Sequence, residues 1–311
     1  MKNFKFISIS LVFFAVFSLA LVHFKVSKES SVIIDIPEGS SISLISNILF
    51  EEGLILNPVL FKTYARFTLS DKKLQAGEYF IDSSQSVYTL NKKLVEGDFY
   101  YRKLTLLPGS TLKTILNLAN SSSLVNDLDS IDIILEEGIF YPDTYYYLKG
   151  ETFSSILFQS HMRWKEISNK LWESRDDDLP YANIMEATTM ASIIEKEGVE
   201  KETIAGVFVN RLKLNMKLQS DPTVIYALGD NFDGDIKRKD LSINSPYNTY
   251  RYRGLPPGPI SIVSEDSLRA ALRPKKTDYL YFVSMGNGFH KFSKNLIDHN
   301  KAVLEYQINE R

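Results

Sequence analysis

Residues 6–24, FISISLVFFAVFSLALVHF, form a run of 19 positions without a charged side chain. As an α-helix this run would reach about 28 Å, close to the hydrocarbon thickness of a bilayer. A soluble core helix of that length normally carries a polar stripe, and this run has only scattered serines and His23. The pattern predicts a single membrane-spanning anchor at 6–24 behind a short cytoplasmic tail at 1–5, with the body on the extracytoplasmic side. Lys2 and Lys5 precede the run and Lys25 and Lys28 follow it, so the positive-inside count is nearly balanced. Ser18-Leu19-Ala20 offers the small residues of a signal-peptide cleavage site. The apolar run continues past Ala20, which favours an uncleaved anchor.

Composition narrows the classes of chemistry. The 36 basic residues are balanced by 38 acidic ones, so the chain lacks the basic footprint of a nucleic-acid binder. With no cysteine, disulfides, thiolate metal sites and a cysteine nucleophile are excluded. Four histidines, none at H-x-x-x-H spacing, give no reason to expect a metal, and no cofactor is implied.

The body reads as α+β, a small α/β module at 31–97 followed by a larger mixed domain at 98–311. Val32–Ile36 reads as a strand, with Ser40 or Ser41 capping a helix that carries Ile42, Ile45, Leu49 and Phe50. A helix from Pro58 to Thr68, a strand from Leu74 to Ile81 and a helix at 86–96 ended by Gly97 complete the module. Leu104–Ser110 echoes Ile34–Ser40, each a strand, a turn and the start of an amphipathic helix. Residues 119–130, rich in Ser, Asn and Asp, read as a loop. Helices are expected at 151–174, 181–197 and 203–214, and Asp278–Met285 with Phe289–Phe292 reads as a hairpin turned by Gly286-Asn287-Gly288.

One carboxylate stands out. At 100° per residue, Ile184, Ala187, Thr188, Ala191 and Glu195 share a face, which puts Glu195 where a core residue belongs. Glu186 and Glu197 project from the opposite side, and Met190, Ile193 and Ile194 make the helix apolar most of the way round. A carboxyl on such a face is predicted to have a raised pKa. The plain alternative is that Glu195-Lys196-Glu197 is the solvated end of a helix.

Ala191–Glu197 (ASIIEKE) resembles the signature of the membrane-bound endolytic murein transglycosylases. Val207–Leu212, Met216–Tyr226, Ser245–Tyr250, Gly254–Ile260, Tyr279–Val283 and Gly288–Ser293 follow in the family's order, with Leu74–Tyr79 and Glu137–Tyr145 upstream. The segment between Glu195 and Val207 is shorter than the family's. The resemblance implies a single-pass inner-membrane protein with a LysM-like subdomain ahead of the catalytic domain. It also implies endolytic, non-hydrolytic cleavage between N-acetylmuramic acid and N-acetylglucosamine, leaving 1,6-anhydro ends, with Glu195 as general acid and then base. Peptidoglycan strands are the implied substrate, and the synthases that make them the implied neighbours.

Asn210, Gln219, Asp221, Asn248, Tyr250 and His290 are the candidate substrate-binding residues. Each has a structural alternative. Asp221 before Pro222 reads as a helix N-cap, Asn210, Gln219 and Asn248 can satisfy buried backbone, and His290 can orient a neighbour. Tyr247, Tyr250 and Tyr252 can stack on sugars or on Arg251 and Arg253. Two other functions fit the same residues: a non-catalytic wall-binding scaffold, and a glycan hydrolase pairing Glu195 with Asp221 or another acid.

Overall fold

A computed structural model of the chain describes residues 25–27, 30–130 and 134–308. These divide into two compact units: residues through Lys103 together with Tyr146–Glu151, and Leu104–Tyr145 together with Thr152 onward. The expected anchor at 6–24 lies outside the described residues. Among the described residues no helix is long and apolar enough to cross a membrane.

The first unit runs β1 (Lys25–Ser27), β2 (Val32–Ile36), α1 (Ile42–Glu51), α2 (Pro58–Phe67), β3 (Gly77–Ile81), β4 (Ser84–Ser86) and α3 (Val87–Glu96). Strands β2 and β3 pair antiparallel with Ile34 opposite Tyr79, and β1 pairs antiparallel with β4. Alternation along β2 sends Ile34 and Ile36 inward, against Ile45 and Leu49 of α1, Phe61 of α2 and Leu90 and Leu94 of α3. The helix starts follow cap chemistry: the Ser41 hydroxyl accepts from Leu44 N–H, Asn57 from Val59 N–H and Ser86 from Thr89 N–H. Gly97, at φ 68°, ends α3 in the left-handed conformation that glycine tolerates. Two expectations need correction. Phe50 is exposed rather than on the buried stripe of α1. Strand β3 begins at Gly77 because Gln75 N–H is already bonded to Leu94 O, 2.9 Å away.

Strand β5 (Arg102–Thr105) precedes the second unit's α4 (Leu112–Ser121) and pairs with β6 (Thr144–Tyr147). Helix α4 extends into the segment expected to be loop, because Ala119 is buried and holds its last turn in the core. Beyond β6 come α5 (Phe153–Glu173), α6 (Ile184–Glu197), α7 (Lys201–Lys213), α8 (Asp221–Leu228), α9 (Glu265–Leu272), β7 (Tyr281–Ser284), β8 (His290–Ser293) and α10 (Leu296–Val303). The β7–β8 pair is the expected antiparallel hairpin, with Phe282 opposite Phe292.

Helix α6 is the spine of this unit. Every residue from Ala187 to Ile194 is buried, against Ile204, Ala205, Phe208 and Val209 of α7 and Leu268, Ala271 and Leu272 of α9. Ser192 Oγ accepts from Ile260 N–H, which ties the Pro-Gly-Pro segment to the helix. A helix surrounded on all sides brings its last turn, Glu195 to Glu197, into the body of the unit. That position decides the chemistry of both glutamates.

Candidate active site

Glu195 and Glu197 leave the end of α6 in different directions and meet opposite environments. The Glu195 side chain is 10% exposed. Its Oε2 accepts from Ser264 N–H at 2.9 Å and from Ser264 Oγ at 2.5 Å, and its Oε1 accepts from Lys201 Nζ at 3.1 Å. Lys201 Nζ also donates to Ser264 Oγ at 2.9 Å. Ser264 is the N-cap of α9, so the carboxylate sits at a helix N-terminus beside an ammonium. Burial pushes this carboxyl up, but the Ser264 and Ser267 hydroxyls, the Ser264 N–H and the Lys201 charge together outweigh it. The net direction is downward, opposite to the expectation from helical periodicity. The apolar face was legible, whereas the donors brought to it by Lys201 of α7 and by Ser264 and Ser267 at the start of α9 were not.

Glu197 carries the raised pKa instead, pushed up to about 7. Loss of solvation is the main cause, and the nearby Asp221 carboxylate adds to it; Ser220 and the Arg211 charge act against it. The Ser220 hydroxyl donates to Glu197 Oε1. Next to it, Tyr250 OH donates to Asp221 Oδ1 at 2.5 Å. Burial and the Asp221 charge both raise the Tyr250 phenol well above its ordinary value, so it remains a donor at any physiological pH.

The residues around Glu197 are held by a lattice of buried hydroxyls. Ser220 N–H donates to Thr249 Oγ1 at 3.0 Å, Thr223 Oγ1 to Ser220 O at 2.7 Å, and the Thr223 and Thr249 hydroxyls meet at 2.8 Å. Gln219, one residue before Ser220, is a non-glycine residue at φ 52°, with its N–H bonded to Thr249 O. Non-glycine residues rarely adopt this conformation, and it persists only where neighbours impose it. Arg211, almost fully buried, donates from Nε to Leu280 O and from Nη1 to Lys217 O and Leu218 O, and its guanidinium lies 5.1 Å from the Tyr281 ring centre. It thereby fixes the chain that leads into Gln219-Ser220-Asp221. Lysine lacks the planar fork that reaches three carbonyls. Arg211→Lys is therefore expected to lower stability by roughly 2–4 kcal/mol through unpaired buried carbonyls. Denaturant unfolding checks this, and a loss below about 0.5 kcal/mol, the level of an ordinary surface change, would show that the fork carries nothing.

The other candidates separate into two groups. Asp221 and Tyr250 lie beside Glu197, and Gln219 directly precedes Ser220, whose hydroxyl donates to the Glu197 carboxyl. Asp221 is not the N-cap of α8; Ser220 occupies that position and Asp221 is the first helical residue, its carboxylate committed to Tyr250. Asn210 and Asn248 have structural roles. Asn210 Nδ2 donates to Thr277 O and Tyr279 O. Asn248, fully buried, donates to Leu241 O and Ile243 O and accepts from Tyr250 N–H. His290 packs at the end of α6, where Glu200 Oε2 accepts its backbone N–H at 2.7 Å and lies 3.2 Å from Nδ1. A Cβ at Gly198 would come within 2.7 Å of His290 Cε1, so glycine is required there for the ring to approach. Arg251 stacks over Tyr252, and Tyr247 packs on Tyr226.

Comparison with known proteins identifies the family. The sequence profile of the YceG-like family matches residues 34–305. The chain belongs to the YceG-like family. It is 33% identical to an endolytic murein transglycosylase of Bacillus subtilis, over 89% of this chain and 85% of that protein. It is 29% identical to one from Streptococcus pneumoniae, over 92% of this chain and 60% of that longer protein. A crystal structure of a YceG-like protein from Listeria monocytogenes aligns with 89% of this chain and all of that one, at 33% identity and a TM-score of 0.51. The mixed α+β architecture is thus that of a YceG-like domain.

Proposed function

We propose that this YceG-like chain is an endolytic murein transglycosylase that cleaves peptidoglycan strands between N-acetylmuramic acid and N-acetylglucosamine. The observation that carries the reading is the Glu197 carboxyl, raised to about 7 beside Ser220, Asp221 and Tyr250. A single group that must both give and take a proton works best with a pKa near the working pH. Protonated Glu197 donates to the bridging oxygen as the muramic C1–O bond breaks, and the N-acetylglucosamine leaves with a free hydroxyl. The muramic C6 hydroxyl oxygen then bonds to C1, and the Glu197 carboxylate takes its proton. No water is consumed, and a 1,6-anhydro end results.

This assignment differs from the expectation that placed Glu195 in that role. Glu195, clamped by Ser264 and Lys201, is held as a carboxylate and has no proton to give at neutral pH. In this reading it braces α7 and α9 around the end of α6. Burial and the neighbouring Asp221 carboxylate keep the proton on Glu197, and Gln219 offers an exposed amide to the sugar.

The anchor at 6–24 would hold the chain in the bacterial cytoplasmic membrane with both units outside. The first unit, three helices packed with the antiparallel β2–β3 pair, would serve as the LysM-like module. Such a protein trims nascent strands beside the synthases that extend them. The test is mass analysis of products from un-crosslinked strands incubated with the full chain in detergent. Internal fragments one water lighter than reducing-end products are expected. Reducing ends would replace the lyase with a two-carboxylate hydrolase, for which Asp221, whose charge acts on Glu197, is the candidate second acid, and binding without cleavage would leave a scaffold.

A further inference from the structure

The first unit exposes an apolar face that its core does not explain. On α2, Phe61 and Ala65 point inward, while Val59, Leu60 and Phe67 are exposed on the opposite side. Leu56 before the helix and Leu69 after it are exposed as well, Phe67 at 88% and Leu69 at 73%. Leu69 also stands at φ 54°, an uncommon conformation for a leucine. Single exposed apolar residues are ordinary, but five within fourteen consecutive positions, Leu56 to Leu69, form a patch.

Two further observations say what covers it. The first is where the chain enters the unit. Lys25, which directly follows the uncharged run at 6–24, pairs with Ser86 at the start of α3. Helix α3 in turn packs on α2: Phe61 of α2 shares the core with Leu90 and Leu94, and Ser70, just past α2, donates from Oγ to Asn91 Oδ1 of α3 at 3.0 Å. The entry point and α2 are therefore neighbours. The second is charge. Residues 54–73 contain Lys62, Arg66, Lys72 and Lys73 against one carboxylate, Asp71. Apolar and aromatic side chains rimmed by basic ones, with tyrosines alongside, match an interface of acyl chains and anionic headgroups.

We propose that the exposed face of α2, with Leu56 and Leu69, docks on the anionic surface of the bilayer that holds the anchor. The proposal rests on the anchor reading of residues 6–24. Docking holds the first unit against the membrane rather than leaving it free at the end of a tether.

The absence of cysteine makes a direct test available. The full chain bearing Phe67→Cys, or Lys294→Cys as a comparison site exposed in the second unit, is labelled with an environment-sensitive fluorophore. It is reconstituted into vesicles of phosphatidylcholine with phosphatidylglycerol. The expected result is that protein floats with the vesicles, that nitroxide-bearing lipid quenches the probe at 67 several-fold more than at 294, and that aqueous iodide shows the reverse order. Replacing phosphatidylglycerol with phosphatidylcholine should narrow the difference. Flotation with equal iodide quenching at both sites overturns docking and leaves the anchor standing. Failure to float overturns both. Protection at 67 that grows with protein concentration and is insensitive to nitroxide lipid overturns the bilayer in favour of a second copy.

Discussion

Glu197→Gln is expected to lower the turnover number for strand cleavage by about 10²–10⁴-fold, the usual contribution of a positioned acid–base group. Strand binding should change little, because glutamine keeps an oxygen to accept the Ser220 hydroxyl. Glu195→Gln is expected to retain most of the turnover of whatever fraction stays folded. The pH profile sharpens the contrast. An acid whose pKa is about 7 gives a limb of activity that falls as pH rises through neutrality. Tyr250→Phe removes the phenol donor from Asp221 and leaves that carboxylate less stabilised beside Glu197, so the limb should shift while cleavage persists. If instead Glu195→Gln is dead and Glu197→Gln turns over normally, the acid is Glu195, and Lys201 must release it when the strand binds.

The two glutamates also show where sequence reading reached and where it stopped. Local signals were enough for the elements. Ser41, Asn57 and Ser86 cap their helices, Gly97 ends α3, and the repeated strand–turn–helix pattern at Ile34 and Leu104 appears as β2 into α1 and β5 into α4. The buried character of α6 was equally legible. What was not legible is what stands beside each face. The 100° projection sets Glu197 opposite the small-residue face, and on an ordinary surface helix that side is wet. On a helix buried all round it is merely another interior face, here covered by Gln219-Ser220-Asp221 and Tyr250 from segments 22 to 53 positions away. The useful signal was the lack of any polar stripe on α6, which makes every carboxylate in its last turn a candidate. Likewise Asn248 looked like a sugar ligand because amides bind sugars. Its burial in a turn, with both amide groups bonded to backbone, depends on contacts to Leu241 and Ile243 that no motif encodes. The return of Tyr146–Glu151 to the first unit left no mark in composition either.

Opposite pKa directions on one helix turn predict opposite stability effects, and this is the second large effect expected. Glu197 titrates near 4.5 in the unfolded chain and at about 7 in the fold. Between those values the native state holds a proton that the unfolded state has lost, so stability falls as pH rises across this window and levels off above it. The full penalty is about 3 kcal/mol at 1.36 kcal/mol per unit. Glu197→Gln removes it: the variant should match the parent at pH 4 and exceed it by up to about 3 kcal/mol at pH 8. Glu195 runs the other way. Its folded pKa is depressed, so its contribution is present above 4.5 and is lost as pH falls through the lower folded value. Glu195→Gln should therefore cost roughly 1–3 kcal/mol at pH 7, the worth of hydrogen bonds to a charged group, and progressively less in acid. Urea unfolding of the three proteins from pH 4 to pH 8 reads both slopes. A Glu197→Gln variant that is inactive and yet more stable than its parent at pH 8 is the signature of a carboxyl kept in an unfavourable place for its chemistry. Equal stability across the range would mean that Glu197 is solvated and ionised, and the acid would have to be sought elsewhere on α6.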